Sequence, residues 1–136
     1  RDRLRSRGLG DVYKRQSLDY PDFLIASSEW FAFVPAKEYF DEPGDHADEL
    51  ETSVMMHYHP ELVNLDEAGD GNYKKFASQM LNEKVAWIPR NWQNVSQDTG
   101  IGNPKKASAG KGKKYAEAVV AKYALLFEEL VHKELY

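Results

Sequence analysis

Cysteine is absent from the chain, which excludes a disulfide framework and any thiolate metal site. No apolar run reaches the roughly 18 residues that a transmembrane helix needs. The N-terminus is basic, but no apolar core follows it as it would in a secretory signal. These absences lead to the expectation of a cytoplasmic protein. What is present suits a globular domain. The chain has 136 residues, 42% of them hydrophobic and 12% aromatic, enough for one domain with a real core.

Charge divides the chain. Residues 1–16 carry six Lys/Arg and two Asp/Glu, a net of +4, while the remaining 120 residues carry a net of −8. One reading of the basic segment is an arm for nucleic acid or membrane. The other is that it is foreign. The string Arg-Asp-Arg-Leu-Arg-Ser-Arg-Gly-Leu-Gly-Asp-Val-Tyr-Lys-Arg-Gln resembles a translated sequencing-adapter read-through. We therefore set 1–16 apart as an adapter-derived or disordered segment. Residues 17–136 are the domain, and on this reading the natural chain starts further upstream.

The stretch that organises the domain is Glu42 to Met56, Glu-Pro-Gly-Asp-His-Ala-Asp-Glu-Leu-Glu-Thr-Ser-Val-Met-Met. Pro43-Gly44 is a turn signal. Asp45 is well placed to cap a helix whose acidic first turn suits the positive end of the helix dipole. Leu50, Val54, Met55 and Tyr58 then fall at helical spacing, and Pro60 places the helix end near His59. His46 stands at the mouth of this helix among Asp45, Asp48, Glu49 and Glu51. It is a solvated or capping histidine in one reading. In the other it is a proton shuttle beside a carboxylate that can hold a divalent cation.

The wording Asp45-His46-Ala47-Asp48-Glu49-Leu50-Glu51-Thr52-Ser53 resembles the third signature of the creatininase (creatinine amidohydrolase) family, acid-His-Ala-Gly-x-x-Glu-Thr-Ser. Asp48 stands where that signature has glycine, a change that narrows the pocket or makes it more acidic. Two further stretches agree. Phe23-Leu24-Ile25-Ala26-Ser27 reads as a buried parallel strand, with Ser28-Glu29-Trp30 at the end where open sheets bind ligands. An apolar strand followed by Ser-x-Trp resembles the strand before the third signature, and the resemblance implies that Trp30 lines the substrate pocket. The competing reading of Trp30 is core, as for Phe31 and Phe33. Later, Gly100-Ile101-Gly102-Asn103-Pro104 and Ala107-Ser108-Ala109-Gly110-Lys111-Gly112 resemble the family's late glycine loop and the start of its last helix.

Other elements are less defined. His57 and His59 are two apart and point to nearly opposite helix faces, so no shared metal is expected. Tyr73–Leu81 reads as a short helix and Val85–Ile88 as an edge strand stopped by Pro89. Arg90-Asn91-Trp92-Gln93 either packs over a pocket or covers a sheet edge. Residues 105–114 hold five lysines and no acid. A phosphate-binding P-loop is excluded there, because Lys105 and Gly112 occupy positions that require glycine and a hydroxyl residue. From Ser108 onward Tyr115, Val119, Tyr123, Leu126 and Leu130 form an apolar row, with Ala116, Val120, Phe127 and Val131 beside it.

The expected fold class is α/β, a three-layer α/β/α domain with a mostly parallel sheet, present as a C-terminal part. The resemblance implies a metal-dependent amidohydrolase of non-peptide C–N bonds, acting on a creatinine-like cyclic amide or a formamide. It implies divalent ions, zinc and/or manganese. Glu51 would be a metal ligand, His46 the general acid/base, Asp45 the residue orienting it, and Trp30 a pocket wall. The family's first signature, Glu-x-His-Gly, and its second, Asn-Gly-His, do not occur in this chain. Most metal ligands are therefore missing, and the chain alone is expected to be inactive. The expected partners are a small amide substrate and further copies of the chain in a homo-oligomer, with no nucleic acid and no membrane. Two alternatives stay open: a non-catalytic interaction module, and an anion- or nucleic-acid-binding domain using the basic helix start Lys105–Lys114.

Overall fold

The computed structural model describes residues 12–86 and 88–134, so the expectation for the basic segment falls outside the described residues over 1–11. Helix α1 covers 12–19, α2 Glu49–Tyr58, α3 Gln79–Asn82, α4 Trp92–Val95 and α5 Ala109–His132. Short 3-10 turns at Trp30–Ala32, Ala36–Glu38, Pro60–Leu62, Leu65–Glu67 and Pro104–Lys106 join them.

The expected α/β/α sandwich is corrected. Among the described residues there is no strand, and pairing is confined to isolated bridges, His46 with Ile101 and Tyr73 with Ser96. Residues 24–29 have no regular secondary structure, and Phe23 and Leu24 are exposed. An apolar run becomes a strand only when neighbours take up its amides and carbonyls, and no described segment does so here. Val85 and Ala86 are likewise not in a strand, and Trp87 lies outside the described residues. The helix expected over 73–81 is reduced to Gln79–Asn82.

What holds the fold together is the crossing of α2 and α5. Helix α2 begins at Glu49 because Asp48 caps it, accepting from the Glu51 amide at 2.8 Å. Asp45, the expected cap, lies outside the helix and pairs with Arg90. Helix α5 begins at Ala109 because Ser108 caps it, its Oγ accepting from the Lys111 amide. The helices meet at Gly112, where an added Cβ would sit 1.9 Å from the Ser53 carbonyl oxygen. Ser53 is fully buried, and its Oγ accepts from the Ser108 amide at 3.1 Å.

The core gathers on Tyr115, which is completely buried with Val34, Phe40, Leu50 and Val119 around it. Its ring meets Trp30 at 6.1 Å, Tyr39 at 5.3 Å and Phe40 at 5.2 Å. Its hydroxyl donates to the Phe31 carbonyl at 2.9 Å. Phe33 stacks on Tyr123 at 4.1 Å. The first apolar row of α5 turns inward, and of the second row Ala116 does so too. Val120, Phe127 and Val131 of the second row are exposed, as are Met55 and Tyr58 on α2.

Candidate functional site

The acidic loop before α2 is built on close backbone approach. Gly44 lies against Gly102, whose φ is +123°, and a Cβ on Gly44 would meet the Ile101 carbonyl oxygen at 2.5 Å. The Asp45 and His46 amides both donate to that oxygen, at 2.7 and 3.1 Å, and the Ile101 amide returns a bond to the His46 carbonyl at 2.8 Å. The late glycine loop thus fixes the backbone of His46. Ala47 then takes φ +48°, a left-handed turn that a non-glycine residue adopts at a cost of about 1 kcal/mol. The turn brings His46 back over the helix start.

That turn solves the spacing problem. His46 Nδ1 lies 3.5 Å from Glu51 Oε2, although residues five apart on a regular helix diverge. Glu51 Oε2 also accepts from the amide of Ala47, the residue before the cap, at 2.9 Å. His46 Nδ1 is shielded from water and has no hydrogen-bond partner among the described residues. The other face of the imidazole meets Trp92 at 5.2 Å. Arg90 stacks on Trp92 at 5.5 Å and donates to Asp45 at 2.7 Å. Arg90 and Trp92 therefore pack over the site; sequence reasoning left this segment undecided, and only tertiary contact reveals its role.

Trp30, Asp45 and Glu51 line one cavity of about 1040 Å³. His46 is not among the residues lining it and stands behind Glu51, under Trp92. Asp48 also lines the cavity, but its two oxygens are taken by the Gly44 and Glu51 amides. Burial pushes its carboxyl above the usual range, partly offset by those bonds. At Asp45 burial works the same way, but the bond and charge of Arg90 and the more distant Lys84 outweigh it, so its carboxyl is held low.

Much of the motif serves packing. Glu49 is fully buried, accepts from the Glu42 amide at 2.7 Å and pairs with Lys111, which also reaches Asp41 at 2.7 Å. Lys106 pairs with Glu42 at 2.6 Å, and Lys113 lies 3.9 Å from Glu117. Three of the five lysines at this helix start thus face carboxylates of the chain itself. His59 pairs with Glu61 at 3.2 Å on the surface.

A family model described as creatininase, creatinine amidohydrolase, matches residues 3–127. The chain belongs to the creatininase family. A solved structure from Bacteroides fragilis NCTC 9343, described as a creatinine amidohydrolase, is 57% identical over 90% of this chain, with a TM-score of 0.84. A creatininase carrying a tryptophan-to-phenylalanine substitution shares the fold at 23% identity over 88% of this chain, with a TM-score of 0.65. The chain spans 49% and 48% of the lengths of these two structures. No curated protein matches. Within the creatininase signature, the geometry separates two sets of residues: Glu49, Ser53, Lys111 and Gly112 dock the helices, while Asp45 and Glu51 line the cavity and His46 stands behind Glu51.

The described residues do not fit a complete metal centre, since they contain no group of three or more His, Asp or Glu side chains placed to share an ion. His46 and Glu51 offer two donors, fewer than the three protein ligands of a catalytic zinc site. Among the described residues, no helix is long and apolar enough to cross a membrane.

Proposed function

We propose that this chain carries the proton-transfer edge of an amidohydrolase that cleaves a non-peptide C–N bond in a small cyclic amide or formamide. The observation that carries the reading is the meeting of His46 and Glu51 at 3.5 Å beside a cavity lined by Trp30. In this reading His46 hands a proton to the leaving nitrogen. Glu51 faces Nδ1, so a small closure of the gap would fix which nitrogen holds the proton. Asp45 and Arg90 hold the loop from which the imidazole projects. Trp30 offers a flat apolar wall to a planar amide. The role of Glu51 as a ligand to zinc or manganese also belongs to this proposal, and its remaining donors would come from outside the described residues.

The test uses a chimera in which this chain replaces the matching half of the Bacteroides fragilis relative. Metal content and turnover of creatinine and of formamides are measured side by side. His46→Ala should keep its metal and lose turnover by roughly a hundredfold or more, the usual worth of a placed acid/base group. Glu51→Gln should lose metal. Normal turnover in metal-loaded His46→Ala would sink the assignment. A non-catalytic interaction module is the second reading, favoured by the number of motif residues spent on docking α2 to α5. It requires that both variants leave every function of the chimera unchanged.

A further inference from the structure

The cavity has two walls of unlike charge. On the α2 side, Asp45 is committed to Arg90, Asp48 to two backbone amides, and Glu51 to the Ala47 amide. The facing segment brings Lys74, Lys75 and Lys84 to the same cavity. Unlike Lys106 and Lys111, none of these three forms an ion pair among the described residues. Glu29, beside Trp30, is the other acid on the lining.

The lysine segment is held in place. The Lys74 amide donates to the Val95 carbonyl at 2.7 Å, next to the bridge between Tyr73 and Ser96. The Asn82 side chain ties the loop shut, accepting from the Phe76 amide at 3.1 Å and donating to the Phe76 carbonyl at 2.8 Å. Lys84 follows at φ +61°, a left-handed conformation that lysine adopts at a cost and that recurs where a side chain is aimed for function. The charge of Lys84 helps hold the Asp45 carboxyl low, and both residues line the cavity. Unpaired ammonium groups along one wall of a concave site raise the local concentration of anions.

Building on the amidohydrolase reading, we propose that Lys74, Lys75 and Lys84 bind a compact anionic group, a carboxylate or a phosphate, on the substrate, so that the site takes small amides bearing an anionic tail. The amide end would lie toward Glu51 and Trp30, and the tail toward the lysines.

The experiment titrates the full chain at low salt with N-formylglycine, with N-formylaminomethylphosphonate, and with the neutral N-formylglycinamide, following tryptophan fluorescence. At least one anionic probe should bind about tenfold tighter than the neutral one, the scale expected of two or three exposed charge contacts. The tighter of the two anions names the group. The preference should disappear in a Lys74→Ala/Lys84→Ala double variant, and shrink at about 0.5 M salt, where screening shortens the reach of charge. Lys113→Ala, outside the cavity, should keep it. Equal affinity for charged and neutral probes, binding of none of them, or a preference that survives in the double variant would overturn the proposal. Hydrolysis is not read in this titration, so its failure removes the lysine wall alone, whereas failed turnover in the chimera removes the amidohydrolase reading.

Discussion

Asp45 illustrates how one side chain at this site couples structure to pH. Its side chain is 35% exposed, lies outside α2, and pairs with Arg90 at 2.7 Å. Burial opposes its ionisation, but Arg90 prevails and its carboxyl titrates below the usual range. A carboxylate lowered on folding stabilises the native state above its unfolded pKa of about 3.9, and that contribution is lost as the pH falls through the lower, folded value. Asp48 has the opposite sign: its raised pKa favours the folded state when it is protonated, and that favour fades as the pH rises through the carboxylate range. The two can be separated by substitution. Asp45→Asn should melt a few degrees below the parent at pH 7. The gap should begin to close as the pH drops below about 4 and vanish once it has fallen through the lower, folded value, where the parent also loses its charge. Thermal melts at a series of pH values followed by circular dichroism check this. A gap that stays constant down to pH 2 would show that Arg90 does not hold Asp45 ionised.

At the scale of elements, the clearest comparison is between two glycines two residues apart on α5. A Cβ at Gly112 would lie 1.9 Å from the Ser53 carbonyl oxygen, whereas one at Gly110 would meet nothing within 4 Å. Gly112→Ala should therefore force α2 and α5 apart and cost about 1–3 kcal/mol, as overpacking does. Gly110→Ala should be neutral or stabilising, by up to about 1 kcal/mol from helix propensity. Denaturant midpoints for the pair decide it, and equal shifts would mean that the crossing is looser than described. The same helices show what could be read in advance. The end of α2 at His59 was legible from Pro60, and the start of α5 from Ser108 ahead of a helical apolar row. The cap of α2 was misplaced at Asp45, although Asp48 stands three residues before Glu51, the spacing of a capping box. The meeting of His46 with Glu51 depends on the left-handed turn at Ala47, which an alanine does not advertise. The three-layer sheet was expected from the apolar run Phe23–Ser27. Apolarity alone cannot say whether a neighbour will pair with it, and among the described residues none does. Likewise Lys111 looked like part of a basic cluster, since its partners Asp41 and Glu49 lie 70 and 62 residues away.

For the whole molecule, that separation means that the chain is closed into a ring without a covalent link. The segment between α2 and α5 serves as the tether, and a tether twice as long would cost only about 0.6 kcal/mol more in closure entropy. The contacts that close the ring are the buried Ser53 hydroxyl, the Lys111 clasp on Glu49, and the ring packing on Tyr115. These belong to the two helices and the loops before them, so they should not require continuity of the chain between. If residues 1–63 and 64–136 are produced as separate polypeptides in one cell, they should co-purify as a helical complex. Lys111→Glu, which sets a new carboxylate against both the buried Glu49 and Asp41, should keep them apart. Recovery of either piece alone from the parent pair would show that the tether, and not the crossing, holds the molecule together. A chain assembled in this way can be cut, lengthened or re-joined at the exposed turns near Asn64 without disturbing the crossing, and those turns are the natural places to attach a reporter or an added domain.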